Sequence, residues 1–330
     1  MKKIFEKLYK LKNLNFLESY KLFKNIYYKN INNSEITSAI VLMKSKKETL
    51  YEILGAVKSF LKRKKNFDSP KYLFSDITGT GGDYKNGINI STISAIVAAS
   101  AGFKIAKHCN YNITGKFGSA NFLKKNKINI NISSEESRKN LDDLNICFLL
   151  SPLYYNSFKH VKNIRRNLKI RTIFNLIGPL LNPSRPPLSV IGVYHLRLLP
   201  IITKICKILK YKRVISVHSN NYDEVTLYGP TYVSELNEGK IKKYKIYPED
   251  FGFKTYNEKK ILKIKNCTKN IIEGIGDNIY LETISANVSI ILKTFGEENI
   301  KYNANYILKL IKKGVIKKFI EKISNRKKNE

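Results

Sequence analysis

Three glycines within four positions mark the segment Asp76-Ile-Thr-Gly-Thr-Gly-Gly-Asp83. The short apolar run Tyr72–Ile77 leads into them, and a helical pattern with serine and threonine in its first turn begins at Asn89. Glycines let a backbone turn tightly and aim N–H groups at an anion, and a helix N-terminus adds partial positive charge. The segment therefore predicts a strand, a glycine loop and a helix that bind a diphosphate. It matches neither GxxxxGK[ST] nor GxGxxG, and a tight turn without a ligand is the alternative.

Two regions of different character flank a charged segment, Lys64–Lys71, which we interpret as a linker. Before it, from Ile4 to Lys65, apolar residues recur every three or four positions, as in amphipathic helices. After it, short β-rich runs alternate with helical patterns such as Asn89–Ala106 and Leu199–Leu209; these runs are Ile146–Leu150, Ser189–Tyr194 and Val214–Val217. The predicted fold class is α/β, with a small N-terminal α-helical domain and a larger α/β domain around a mostly parallel central sheet.

The net charge of +34 comes from 60 Lys and Arg against 26 Asp and Glu. The excess is mostly lysine, spread along the whole chain, and no nucleic-acid-binding motif accompanies it. We interpret it as a solvated surface produced by compositional bias, and we expect no nucleic-acid partner. An anionic substrate would still be attracted by the field.

Four cysteines lie far apart without CxxC or zinc-type spacing, which argues against a disulfide framework or a metal cluster. Charges interrupt every apolar run near the N-terminus before a signal-peptide core can form. No apolar stretch approaches the roughly 20 residues that span a bilayer. We expect a cytoplasmic protein without membrane association.

Further polar motifs follow the predicted strands. Lys107-His-Cys-Asn110 offers a point charge for phosphate and a two-sided hydrogen-bonding amide. His108 is as easily a packing residue as a base, and we assign it no proton transfer. The adjacent carboxylates of Asp223 and Glu224 suit Mg²⁺, although a lone acidic pair is more often a solvated loop.

Three arginines, Arg165, Arg166 and Arg171, precede the segment Thr172–Pro183, which has the pattern of a helix start followed by a rigid turn. Any of the three can clamp a carboxylate bidentately. A plain surface charge is the alternative for each, and we favour it for Arg166.

Taken in order, GTGGD, NIST, KHxN, RTIFNLIGPLLNP and the late Asp-Glu pair resemble the anthranilate phosphoribosyltransferase family. The similarity covers nearly the whole chain, including LYKLKNLNFLESYKLF near the start and ISANVSIILKTFG near the end. It implies transfer of the phosphoribosyl group of phosphoribosyl pyrophosphate to the amine of anthranilate in tryptophan biosynthesis. It also implies a homodimer formed by a helical domain at residues 1–70, an α/β domain at 71–330, and helices around 151–180 that pack on the helical domain. Stable association with an anthranilate synthase subunit stays open.

The resemblance also implies roles for individual residues, by matching motifs. Those that would hold phosphoribosyl pyrophosphate are Gly79, Gly82, Asp83, Asn89, Ile90, Ser91, Thr92, Lys107 and Ser119. Anthranilate would contact Gly79, Asn110 and Arg165, with Gly178 near the same pocket. Ser91, Asp223 and Glu224 would ligate two Mg²⁺ ions per subunit. No residue is assigned as a general base.

The chain departs from the family pattern in the loop after Lys107. In the family, the segment that begins at this lysine has roughly the sequence KHGNRSVSSKSGSAD. The substituted positions are Cys109 for Gly, Tyr111 for Arg, Phe117 for Ser and Asn121 for Asp, and Gly87 also replaces Thr or Ser. Losing a cation and hydroxyls beside the diphosphate predicts weaker binding of that substrate. Three alternatives stay open: a weakly active enzyme, a non-catalytic homologue kept for its dimer surface, and a pyrimidine nucleoside phosphorylase. The last is disfavoured by chain length, by the Asp223–Glu224 pair and by the GPLLNP segment.

Overall fold

The computed structural model describes residues 1–81, 88–111, 118–155, 158–258 and 268–326, apart from the side chains of 158–160. Four helices come first: α1 (Lys2–Tyr9), α2 (Phe16–Tyr28), α3 (Asn33–Ser45) and α4 (Leu50–Leu61). Three of them begin at a capping box, in which an Asn or Thr side chain binds the N3 backbone and the N3 glutamate binds back; the pairs are Asn15 with Glu18, Asn32 with Glu35, and Thr49 with Glu52. The predicted helical module is therefore present.

A seven-stranded sheet forms the centre of the rest of the described chain, in the order β3-β2-β1-β4-β5-β6-β7. Neighbouring strands among the first five are parallel, and β6 and β7 are joined antiparallel. The strands are β1 (Ser75–Gly79), β2 (Ile105–Cys109), β3 (Ile146–Leu150), β4 (Leu188–Gly192), β5 (Arg213–Ser219), β6 (Thr231–Asn237) and β7 (Lys240–Ile246). The mostly parallel α/β sheet that the sequence predicted is confirmed.

Helices cover both faces of the sheet. They are α5 (Ile90–Ser100), α6 (Ser119–Lys125), α7 (Ser134–Leu144), α8 (Ser151–Tyr154), α9 (Phe158–Leu168), α10 (Ile173–Ile177), α11 (Leu198–Ile208), α12 (Thr268–Glu273), α13 (Asn278–Thr294), α14 (Ile300–Lys312) and α15 (Val315–Asn325). Short 3₁₀ helices occupy Gly178–Leu180 and Pro248–Phe251. No helix in the described ranges is both long and apolar enough to cross a membrane.

Successive residues of the central strands contribute side chains to two separate hydrophobic cores, one on each face of the sheet. Ala106 and Ile191 face a core shared with the N-terminal helices and α11, whereas Ile105 and Val190 face a core shared with α5 and α13 to α15. This alternation follows from the two-residue period of a strand, because successive side chains point to opposite faces. Both faces are buried, as a parallel sheet requires.

Aromatic packing joins the helical module to the region around 151–180. Phe174 of α10 contacts Phe23 and Phe60 edge-on, with ring centroids 5.9 and 6.1 Å away, and Tyr155 lies against Phe60 at 6.3 Å. These contacts support the expected packing of 151–180 on the first helices. The division of the chain into domains at residue 70 stays a prediction.

Several element boundaries differ from those predicted. The helix predicted for Asn89–Ala106 ends at Ser100, because Gly102 turns the chain with φ +97° and Ile105 already belongs to β2. The strand predicted at Tyr72–Ile77 instead spans Ser75–Gly79. The antiparallel pair β6 and β7 was not predicted. The exposed outer strand β7 carries Lys240, Lys242, Lys243 and Lys245, a polar pattern that masks its strand character.

Candidate active site

Two glycines at adjacent strand ends make room for Asp223. Gly79 closes β1 and pairs in register with Gly192 at the end of β4. A Cβ atom on Gly192 would overlap the Asp223 carbonyl group, and one on Gly79 would overlap the Asp223 carboxylate. The Gly81 N–H, in a residue with φ +65°, donates to Asp223 Oδ2 at 2.6 Å. The Asp223 loop therefore lies directly on the glycine loop.

This position is the topological switch point of the sheet. From β1 the strand order runs to β2 and β3 on one side and to β4 and β5 on the other. Open α/β sheets bind ligands in the crevice outside the carboxyl ends of the strands at such a point. The fold thus brings the predicted diphosphate loop and the predicted metal carboxylates to its natural binding crevice.

A tight turn carries Asp223 and Glu224 out of β5. Asn220 and Asn221 adopt left-handed φ values of 46° and 66°, which asparagine tolerates better than most residues. Glu258 accepts hydrogen bonds from Asn220 Nδ2 at 2.8 Å and from the Tyr222 hydroxyl at 2.9 Å. The turn is therefore held in place from outside the strand.

Lys107 and Ser91 meet beneath the glycine loop. Lys107 Nζ donates to the Ile77 carbonyl at 2.6 Å and to Ser91 Oγ at 3.3 Å. Burial lowers the pKa of Lys107, and the nearby Asp76 carboxylate opposes that shift. Asn89 occupies the N-cap position of α5 without a side-chain capping hydrogen bond, and the Thr92 side chain is buried in the first turn. An ammonium group and a hydroxyl thus stand together at the start of a helix.

Asn110 and Ser119 are adjacent across the substituted loop. The Ser119 hydroxyl donates to the Asn110 carbonyl at 3.3 Å, and the Tyr111 N–H donates to Asn110 Oδ1 at 2.8 Å. Tyr111 is exposed and Cys109 is buried. Gly82, Asp83, Gly87 and Phe117 lie outside the described residues.

Arg165 is a half-buried cation on α9. Its guanidinium lies 5.6 Å from the Phe174 ring and 3.5 Å from Asn175 Oδ1. Burial lowers its pKa to about 10, so the group stays positive at neutral pH. No carboxylate of the described ranges pairs with it. Such a cation suits a carboxylate ligand. Arg166, in contrast, is exposed, and its guanidinium donates a hydrogen bond to Asn163 Oδ1 at 3.3 Å, in accord with a surface charge.

Sequence reasoning missed the residues that hold the glycine loop. Asn175 Nδ2 donates to the Thr80 carbonyl at 3.2 Å, and the Tyr194 N–H donates to Thr80 Oγ1 at 3.0 Å. Arg171 Nε donates to the Gly81 carbonyl at 3.0 Å, and the guanidinium lies 4.4 Å from the Tyr194 ring centre. Arg171 is therefore a loop support. The only sequence feature that pointed to Arg171 was its position in the arginine-rich segment before Thr172.

The buried carboxyl group of Asp76 lies near Lys107. Asp76 accepts from Asn182 Nδ2 at 2.8 Å, and burial raises the pKa of this carboxyl to about 6. His108 is enclosed beside the Gly178 backbone, and burial lowers its pKa to about 4. The His108 ring is therefore neutral at pH 7.

The donor set at the crevice fits a hard divalent cation. The sequence predicts carboxylate oxygens from Asp223 and Glu224 and a hydroxyl from Ser91 as the ligands. Among the described residues there is no cluster of three or more His, Cys, Asp or Glu side chains that could hold a metal alone. Mg²⁺ is commonly bound by one or two carboxylates together with waters and substrate phosphates, so two carboxylates suffice.

Comparison with known proteins identifies relatives of this chain. Residues 71–316 match the model described as "Glycosyl transferase family, a/b domain". Anthranilate phosphoribosyltransferase from Buchnera aphidicola subsp. Acyrthosiphon pisum (strain 5A) is 50% identical, over 100% of this chain and 98% of that protein. The enzyme from the Schizaphis graminum subspecies is 48% identical over the full length of both.

The chain belongs to the anthranilate phosphoribosyltransferase family.

Solved structures of family members share the fold. The structure from Thermus thermophilus has a TM-score of 0.86 at 23% identity and covers 97% of this chain and 98% of its own. The Saccharomyces cerevisiae structure, in complex with PRPP and Mg, has a TM-score of 0.84 at 24% identity and covers 99% and 98%. The resemblance expected from the motifs is confirmed, as is the enzyme class, a phosphoribosyltransferase. Neither a pyrimidine nucleoside phosphorylase nor a non-catalytic homologue is favoured by these findings.

Proposed function

We propose that this chain transfers the phosphoribosyl group of phosphoribosyl pyrophosphate to the amine of anthranilate, giving N-(5-phosphoribosyl)anthranilate and pyrophosphate. The observation that carries the proposal is the contact of Asp223 with the Gly79–Gly81 loop at the end of β1, the strand to which Lys107 also donates through the Ile77 carbonyl. Anion-binding groups and metal carboxylates then share one crevice. A diphosphate bound there meets both.

The diphosphate side of the site is built from the glycine loop, the start of α5 and Lys107. We assign it Gly79, Gly82, Asp83, Asn89, Ile90, Ser91, Thr92, Lys107 and Ser119. Lys107 contributes positive charge near Ser91, and the α5 N-terminus adds its partial positive charge. These groups would stabilise the negative charge that grows on the departing pyrophosphate, the situation in which preorganised groups act most strongly.

The acceptor side is built around Arg165 and Asn110. Arg165 would bind the anthranilate carboxylate and so aim the ring amine at the ribose carbon that bears the diphosphate. The nitrogen–carbon bond forms as the carbon–oxygen bond to pyrophosphate breaks, and the surplus amine proton then passes to solvent water. Because the ribose carbon becomes oxocarbenium-like, a weakly basic amine suffices and orientation dominates the rate.

Asp223, Glu224 and Ser91 would hold two Mg²⁺ ions per subunit. When bound, the metal neutralises diphosphate charge and so makes pyrophosphate a better leaving group. Asp223 keeps its orientation through the Gly81 N–H, which binds one carboxylate oxygen.

A fluorescence assay tests the proposal. Purified protein mixed with Mg²⁺ and phosphoribosyl pyrophosphate should consume anthranilate, measured as loss of its fluorescence. The double variant Asp223→Asn with Glu224→Gln should abolish the decay, because the metal carboxylates are gone. A matched pair, Glu249→Gln with Asp250→Asn, removes two adjacent exposed carboxylates elsewhere and should leave the rate unchanged. Absence of decay from folded wild-type protein at saturating substrates would contradict the proposed activity.

The assembly and location are further parts of the proposal. Large apolar side chains stay exposed in the N-terminal helical region, among them Tyr9, Leu11, Leu17 and Tyr51, which supports a homodimer through this domain. Sedimentation should then give twice the chain mass of 38.1 kDa. Cys109, Cys147 and Cys206 are buried free thiols, which supports a reducing, cytoplasmic environment. An anthranilate synthase subunit is a candidate additional partner, which co-sedimentation would test.

A further inference from the structure

Asn287 is a fully buried amide in the middle of α13. Its Oδ1 accepts from the Val225 N–H at 3.1 Å, and its Nδ2 donates to the Val225 carbonyl at 2.9 Å. Nδ2 also donates to the Thr283 carbonyl at 2.9 Å, one turn earlier in the helix. The side chain thus binds both backbone groups of one residue, which requires a donor and an acceptor on the same planar group.

Val225 is the residue directly after Glu224. Fixing both of its backbone groups fixes the direction in which the chain leaves the Asp223–Glu224 pair. On the opposite side, Gly79 and Gly192 bring β1 and β4 into contact with Asp223. The carboxylate pair is therefore held between the sheet and α13.

The same helix supports the other proposed metal ligand. α13 packs along α5, whose first turn carries Ser91. If the Val225 backbone moved, the distance from the Asp223 and Glu224 carboxylates to the Ser91 hydroxyl would change, even in a protein that still folds. Orientation of ligands by groups behind them commonly accounts for about 10–100-fold in metal affinity.

We propose that Asn287 is a positioning residue for the metal carboxylates, acting through the Val225 backbone; this rests on the proposed function. A merely structural amide would lower the stability of the protein without a selective effect on metal binding. A positioning residue changes the affinity for the metal and leaves the anthranilate side of the site intact.

The test is Asn287→Asp, which keeps an acceptor for the Val225 N–H but turns an oxygen toward the Val225 and Thr283 carbonyls. Mn²⁺ binding in the presence of pyrophosphate, followed by electron paramagnetic resonance, should weaken by about 10-fold or more. The KM for anthranilate should stay unchanged. The matched control is Asn303→Asp on α14, another buried amide, which binds the Glu297 carbonyl at 2.8 Å, a backbone group remote in sequence from the metal loop.

Two outcomes would overturn the inference. If folded Asn287→Asp binds Mn²⁺ as the wild type does, or no more weakly than Asn303→Asp, Asn287 has no positioning role. If wild-type protein with pyrophosphate binds no Mn²⁺, the proposed metal site fails and takes the inference with it, so the wild-type measurement separates the two failures. Should Asn287→Asp not fold, Asn287→Gln carries the same comparison, because it keeps both groups and displaces them by one methylene.

Discussion

Replacing Gly192 by alanine should damage the active site by displacing the backbone of Asp223. A Cβ atom there would overlap the carbonyl oxygen and carbon of Asp223, and both are backbone atoms that cannot rotate away. Relieving the overlap requires the Asp223 backbone to move by about 1 Å or more, and a displacement of that size costs on the order of 10²-fold in rate. A 10²-fold loss corresponds to about 2.7 kcal/mol of transition-state stabilisation. The loss should appear in kcat/KM for phosphoribosyl pyrophosphate.

The assay is the anthranilate fluorescence decay, with the thermal midpoint measured on the same samples. Gly239→Ala is the matched control, because Gly239 also has a backbone that favours glycine, with φ +78°, and lies in the remote β6–β7 turn with open space around it. The control should lose stability and keep its kcat/KM. A Gly192→Ala enzyme with wild-type kcat/KM would refute the argument that this glycine leaves room for the carboxylate loop. Gly79→Ala should also lower kcat/KM, because its Cβ atom would overlap the Asp223 carboxylate that is proposed to bind the metal.

Further predictions concern binding, folding and pH. Arg165→Gln should raise the KM for anthranilate at least about 10-fold, since a charged hydrogen bond contributes about 1.5–3 kcal/mol, while the KM for phosphoribosyl pyrophosphate stays constant. Tyr111→Arg should lower the KM for phosphoribosyl pyrophosphate by restoring a cation, and an unchanged value would contradict the argument drawn from the substituted loop. Lys46→Met should destabilise the fold by about 3–5 kcal/mol in denaturant titrations, because it leaves the buried Glu52 carboxylate without its 2.6 Å ion pair; a loss below about 1 kcal/mol would count against this. His108 has its folded pKa lowered to about 4, so the unfolded chain binds more protons between pH 4 and 6.5 and stability is lost as pH falls through that window. The stability difference between wild type and His108→Asn should therefore shift by up to about 3 kcal/mol from pH 7 to pH 4, and a constant difference would contradict the burial argument.

Much of the fold was accessible from the sequence because its signals are local. The capping pairs and apolar spacing of the first four helices lie within single turns of chain, and the glycine loop has a strand before it and a helix after it. β3 is a continuous apolar run, and β4 and β5 are also buried along their whole length, as is typical of strands covered on both faces. Among the residues that the motifs singled out, the structure brings Asp223 onto the glycine loop and Lys107 to Ser91; the roles assigned to the site residues stay predictions.

The remaining parts depend on contacts between distant segments. Asn287 and Val225 are 62 residues apart, and Asn175 and Thr80 are 95 apart, so nothing local to either partner marks the pairing. Arg171 has the composition of a substrate clamp, and only the folded chain shows that the Gly81 carbonyl is its partner. β7 escaped notice because alternate lysines on an exposed edge resemble a charged loop.

Those lysines have a physical consequence of their own. A strand at the edge of a sheet presents unpaired backbone groups to which another copy of the protein could add a strand, and lysine on such a strand opposes this. The four lysines of β7 would confront like charges in any edge-to-edge pairing of two copies. The basic composition of this chain thus protects the open side of its sheet against aggregation, and neutral substitutions along β7 should lower the concentration at which the protein stays dispersed.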